Sequence, residues 1–201
     1  MMTTDPTRVL EMLEEANRYY ERSGDRGFYR WKSQFLLGLW HVQFGDPNDS
    51  LDYADRLVDA SRDIDDLLVL GHAHEVRALA LESIGDHDDA KSELMAAVET
   101  YGADGFTKVC FAHCLDHTAL WFIADESPHE AALAVGAAEA IRSQHADPTA
   151  PPYARNSHAH AKSSALRALG ETGFDASFTR GYSMAAAEVG DAVAAELVRA
   201  D

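Results

Sequence analysis

Three stretches of this chain repeat one frame: an apolar helix, a short acidic turn, then a second helix that opens on a small residue. "LGLWHVQFGDPNDSLDYADRLVDAS", "RALALESIGDHDDAKSELMAAVET" and "TALWFIADESPHEAALAVGAAEAI" place Ser50, Ala90 and Ala131 at matching points of that second helix. The spacing is 40 residues from Gly45 to Gly85 and 41 from Ala90 to Ala131. One hairpin of two helices cannot bury its apolar face alone, so such units must stack, and the stack acquires a concave side. Turns this short also predict antiparallel neighbours.

Outside the frame, apolar residues still recur at i, i+3, i+4 and i+7, and no run of strand-type alternation interrupts them. Helices are expected near 6–22, 27–44, 50–62, 66–84, 87–101, 105–124, 128–144, 152–169, 173–181 and 184–199. Between them lie GDPND (45–49), GDHDD (85–89), ADESPHE (124–130), ADPTAPPY (146–153) and GETGFD (170–175), where Gly, Pro and Asp supply stop and cap chemistry. The fold class expected is all-α, a right-handed superhelix of stacked antiparallel helical hairpins spanning 1–201 as one domain. Its period exceeds the ~34 residues of a strict tetratricopeptide repeat but belongs with the related tetratricopeptide-like arrays.

Charge narrows the partners. Lys and Arg total 17 against 34 Asp and Glu, a formal net charge of -17 over 201 residues, which repels a phosphate backbone; direct nucleic-acid binding is not expected. The longest apolar runs, such as "FLLGLW", stop far short of the roughly 20 residues that span a bilayer. The opening "MMTTDPTRVLEMLEE" carries acids where a secretory signal would be basic and then apolar. A cytoplasmic location without membrane contact is the expectation. Cys110 and Cys114, the sole cysteines, stand at i and i+4, a poor geometry for a disulfide, and read as reduced thiols. No phosphate-cradling G-x-x-x-x-G-K-[ST] loop occurs, and no cofactor is expected.

The stretch "CLDHTALWFIADESPHEAALAVGAAEAIRSQHADPTAPPYARN", followed by "ALRALGETGFDASFTRGYSMAAAEVGDAVAAEL", carries a family resemblance. Its acidic turn, "GAAEAIR" before a Pro-containing loop, "ALG…F" and the F-x-x-G of Phe178 to Gly181 fall in order. Over roughly Cys114 to Leu197 the chain resembles the C-terminal tetratricopeptide-like region of bacterial transcriptional regulators of the LuxR/MalT and AfsR kind. In that family the region is a helical sensor or scaffold beside a nucleotide-binding module and a DNA-binding helix-turn-helix. This chain has neither motif, so the resemblance implies a detached interaction domain, encoded as such or cut from a longer regulator.

"CFAHCLDH" raises a metal question. Cys110, His113, Cys114 and His117 share one side of a helix, but the stripe runs roughly 10 Å, too long for ligands that must sit about 2.3 Å from one ion. No metal site is expected from the stripe alone, and an i, i+4 pair, His113 with His117 or the two thiols, would need a neighbouring helix to complete the shell; Cys110 and Cys114 read as small buried apolar residues and His117 as a satisfied, partly buried histidine. His113, Asp116, Leu120 and Ile123 occupy the remaining side. Aligning Ala90 with Ala131 sets His72, Glu75 and Leu79 level with His113, Asp116 and Leu120. The same His-x-x-acid pair thus recurs on two successive first helices, which line the concave face of such arrays. Lys32 and Phe35 match in the first repeat beside Trp31, and His158 and His160 lie on the next first helix. His74 should meet its hairpin partner as a hydrogen-bonded core histidine, while Trp40 and Trp121 read as packing.

These residues predict a groove with an aromatic end and a histidine- and carboxylate-bearing middle. Leading is a non-catalytic module docking a protein or peptide, basic or neutral given the charge. A small-molecule or metal-ion sensor using the same His/acid residues is the alternative. No nucleophile with an oxyanion loop is visible, so an enzyme is not expected. The Ala-rich last segment either caps the array or forms a homodimer through the terminal helices.

Overall fold

The computed structural model describes residues 5–24, 27–103, 108–145 and 152–199. In chain order the elements are α1 (Pro6–Ser23), α2 (Phe28–Phe44), α3 (Pro47–Ile64), α4 (Leu67–Ile84), α5 (His87–Ala103), α6 (Lys108–Ala124), α7 (Pro128–Gln144), α8 (Pro152–Ser183) and α9 (Ala186–Arg199). No strand occurs among the described residues. The fold is all-α and repeat-like. No described helix is long and apolar enough to cross a membrane.

The acidic turns set the boundaries. Asp5, Asp46 and Asp66 each accept a hydrogen bond from a first-turn amide, Thr7, Asn48 and Leu68 at 3.0, 2.9 and 2.9 Å. Pro6, Pro47 and Pro128 open their helices, where a missing amide hydrogen costs nothing. Gly85 ends α4 with φ 86, a left-handed value that glycine adopts without a Cβ penalty. Asp65 takes φ 51 at the corresponding point after α3. Turns of two or three residues therefore join α2 to α3, α3 to α4, α4 to α5 and α6 to α7.

The chain divides into two compact units, residues 1–97 and 98–201. In the first, α1 packs on α2, α2 on α3 and α3 on α4, while α2 also meets α4. Trp31, Phe35, Ala54, Leu57, Val69, Ala73 and Val76 form the core between them. Ser50 sits fully buried and donates its hydroxyl to the Gly38 carbonyl at 2.9 Å. Ala90 is fully buried as well. At these repeat positions a small side chain lets one helix approach the next.

In the second unit α6 packs on α7 and on α8, α7 on α8, and α9 on α7. Ala131 is fully buried, in a run from Ala131 to Ala138 with almost no exposed surface. The separate helices expected over 152–169 and 173–181 are the two arms of α8, parted by a non-helical Gly170 at φ 68 and ψ 172. That single glycine folds the helix back far enough for Lys162 Nζ to lie 5.1 Å from the Phe178 ring centre. The second arm of α8 presses on α7 through two glycines. A Cβ on Gly136 would enter the Phe178 carbonyl, and one on Gly181 would enter the Leu133 carbonyl. Most of the break expected at 146–153, and the start of the helix expected at 105, lie outside the described residues.

Candidate functional site

Of the eleven residues expected to line an open groove, five are buried, five half-buried and one exposed, and the buried ones gather in two places. In the first unit the start of α2 meets α4. Trp31, Phe35, His72 and Glu75 are all at or below 4% exposed. The His72 ring lies 4.0 Å from that of Phe35 and 5.4 Å from that of Trp31, while Lys32 Nζ stands 4.8 Å from the centre of Phe35. His72 Nδ1 reaches Glu75 Oε2 at 3.5 Å, one turn along the same helix. Leu79 is half-buried one turn further on. These side chains make an aromatic and ionic core in place of an open lining, because α2 and α4 close on each other.

Burial pushes the His72 imidazole below its ordinary value of 6.5; Glu75 raises it and does not compensate. A folded-state value below the unfolded one means that protonation favours the unfolded chain. The stabilisation is complete above about pH 6.5 and declines as pH falls below it. On α4 and α5, burial raises the Glu93 carboxyl, but the His74 hydrogen bond at 2.6 Å and the Arg77 charge outweigh it and leave the group low. Its contribution is lost in the same direction, at lower pH. The melting temperature should therefore fall from about pH 6.5 downward, and His72→Asn, which keeps a donor and removes the titration, should flatten the upper part of that decline.

His74 is thus a hydrogen-bonded histidine facing α5, as expected. Trp121 is buried, and Trp40 donates to the Pro6 carbonyl at 3.1 Å. Cys114 is buried, Cys110 half-buried, and His117 buried.

The second place joins three helices in the second unit. Asp116 of α6 is 0% exposed and pairs with the Arg142 guanidinium of α7 and with His158 Nδ1 of α8 at 2.8 Å. His158 Nε2 lies 2.7 Å from Glu139 Oε2, and Lys162 Nζ stands 3.8 Å from the same oxygen. Each imidazole nitrogen lies within hydrogen-bond distance of a carboxylate, and Nδ1 also stands 3.0 Å from Arg142 Nη1. Arg142 also donates to the Ala112 carbonyl at 3.3 Å. The expected parallel between His72 with Glu75 and His113 with Asp116 does not extend to geometry. Asp116 faces α7 and α8, since α6 is covered by both, and its partners stand 26 and 42 residues away. His113 and Leu120 are half-buried on α6, and His160 is exposed on α8. Sequence reading brought Asp116 and His158 together but missed Arg142, Glu139 and Lys162. The one readable signal was Arg142 itself, a lone cation in the Ala-rich "GAAEAIR".

Two surface features went unread, both at the α1–α2 corner. Tyr19, Phe28 and Tyr29 are 61%, 55% and 62% exposed. Their rings form a continuous series: Tyr19 edge-on to Tyr20 at 5.4 Å, Tyr20 stacked on Tyr29 at 5.7 Å, Tyr29 edge-on to Phe28 at 5.4 Å, and Phe28 edge-on to Trp31 at 4.9 Å. "RYYE" and "FYRW" on either side of the Gly24 turn were the available signal. Beside the series an open cleft of about 400 Å³ runs between α1, α2 and α3. Among the described residues, no group of three or more His, Cys, Asp or Glu side chains could hold a metal ion.

Fold and surface together define an all-α, repeat-like helical protein with an exposed aromatic face. No protein-family model matches the chain, and no match is found among curated proteins or solved structures.

Proposed function

We propose that the chain is a non-catalytic binding module of the tetratricopeptide-like, regulatory kind, and that it docks a basic amphipathic peptide segment of a protein partner on the aromatic face of α1 and α2. The observation that carries this reading is the exposed series of Tyr19, Phe28 and Tyr29, linked through the ring of Tyr20. Leaving large aromatic rings in water forgoes burial worth about 1.5–3 kcal/mol each, and contiguous exposed apolar surface of this type marks interaction sites. Aromatic side chains are also the residues that anchor protein interfaces. A net charge of -17 selects the partner's sign. Support for a regulatory role comes from the resemblance to sensor regions of bacterial regulators.

The test uses synthetic helical peptides patterned with Lys and Leu, and counterparts patterned with Glu and Leu, followed through the fluorescence of the tryptophans. The basic set should bind and the acidic set should not. Replacing both Phe28 and Tyr29 with Ala should weaken binding by about tenfold or more, as loss of interface anchors does, with no loss of melting temperature. Equal binding by the double variant, or no binding by any basic peptide, rejects the proposal.

A further inference from the structure

The cleft between α1, α2 and α3 opens beside the aromatic face and shares Trp31 with it, the ring that Phe28 meets edge-on at 4.9 Å. Glu21, Arg30, Arg56, Asp59 and Asp63 bring its charges, and they differ in what already holds them. The three acids are engaged. Glu21 accepts a hydrogen bond from Asn17 at 3.1 Å, Asp59 pairs with Arg62 at 3.3 Å, and Asp63 also has a partner within the chain. The two guanidiniums are not. Among the described residues, Arg30, half-buried on α2, forms no ion pair, and Arg56 of α3 lies over the Tyr53 ring at 5.1 Å without a carboxylate partner. Carboxylates are plentiful in a chain with 34 acids against 17 bases, yet neither of these cations is given one.

We infer, resting on peptide docking at the neighbouring aromatic face, that Arg30 and Arg56 receive a carboxylate side chain of the docked peptide: one aspartate or glutamate set among the basic residues of its polar face. A guanidinium presents parallel donors that match both oxygens of a carboxylate. One exposed ion pair contributes little, because water screens it and two long side chains must be ordered. Here Trp31 and Ala60 wall the cleft on one side of the incoming group, and cations from two helices serve the same anion. The open space, about 400 Å³, has room for such a side chain without movement of α1. A wholly basic segment sets like charges against both guanidiniums, and one acid at that point turns the repulsion into attraction. The partner is thereby specified more narrowly, as a basic amphipathic helix carrying a single acidic anchor.

The test extends the Lys and Leu peptides, titrated against the full chain and followed through tryptophan fluorescence. One lysine at a time is replaced by Glu in a first series and by Gln in a second, so that each pair of peptides differs only in the charge of one side chain. For at least one position the Glu peptide should bind about tenfold more tightly than its Gln counterpart, the worth of one charge-assisted hydrogen bond. In the double variant Arg30→Gln with Arg56→Gln that preference should vanish, while the Gln peptides bind no more weakly than to the wild type and the melting temperature holds, since neither guanidinium has an ion pair to lose. The inference is overturned if no position favours Glu over Gln, or if the preference survives in the double variant. Binding by the Gln series with no gain from Glu removes the anchor and leaves peptide docking standing, whereas failure of every peptide in both series removes the docking and the anchor together.

Discussion

Gly136→Ala should destabilise the second unit by about 3 kcal/mol or more, the upper end of overpacking costs, although helix propensity alone favours alanine by about 1 kcal/mol. The sign turns on what the new methyl group meets. At Gly136 it meets the Phe178 carbonyl oxygen, with Phe178 C at 2.9 Å and Tyr182 N at 3.0 Å, all backbone atoms of the second arm of α8. No rotamer change relieves such a contact; α7 and α8 must move apart. Gly181 meets the Leu133 carbonyl and Ala137 N from the other side, so the two glycines are reciprocal parts of one crossing. Gly190 of α9 is the control. Its nearest neighbours, Gly102 Cα at 3.7 Å and Val98 O at 3.8 Å, are at ordinary contact distance. Gly190→Ala should therefore be neutral or stabilising. Urea unfolding of both variants checks the pair, and equal effects at the two sites would show that helix propensity, not the close crossing, governs them.

Those glycines show where the sequence was legible and where it stopped. "GAAEAIR" and the F-x-x-G of Phe178 to Gly181 were visible as parts of a pattern, but no property of either segment reveals that they touch. Ser50, Ala90 and Ala131 were a different case. Their recurrence at a fixed offset from each acidic turn marked matching points of the second helices, and all three are fully buried. Caps were equally readable, because Asp5, Asp46 and Asp66 act on amides two residues away. Local chemistry of that range is written in the chain. Asp116 is the contrary case. A helical wheel placed it correctly on the third side of α6, opposite the apolar arcs, and a carboxylate there reads as solvent-facing. The wheel cannot say that α7 and α8 both cover that side. Burial of Trp31 and His72 was hidden for the same reason, since α2 meets α4 across an intervening helix.

Asp116→Asn should cost about 3–5 kcal/mol, the loss that follows when one partner of a buried ion pair is removed. The carboxylate is 0% exposed and lies against both the Arg142 guanidinium and His158 Nδ1. An asparagine keeps the shape and one acceptor, but it leaves the Arg142 guanidinium without the carboxylate it pairs with. Glu139 answers only the far side of the imidazole. The first arm of α8 depends on this junction, so the substitution should loosen it from α6 and α7. By contrast, Arg62→Ala, which removes a pair with Asp59 between side chains 74% and 80% exposed, should change stability by less than about 1 kcal/mol. Replacing Asp116, Arg142 and His158 together by Leu, Met and Leu should recover most of the loss, because an apolar set of similar volume needs no compensation for desolvated charge. Urea midpoints for the single and triple variants decide the matter. If the triple variant is as unstable as Asp116→Asn, the junction acts through shape and not through charge.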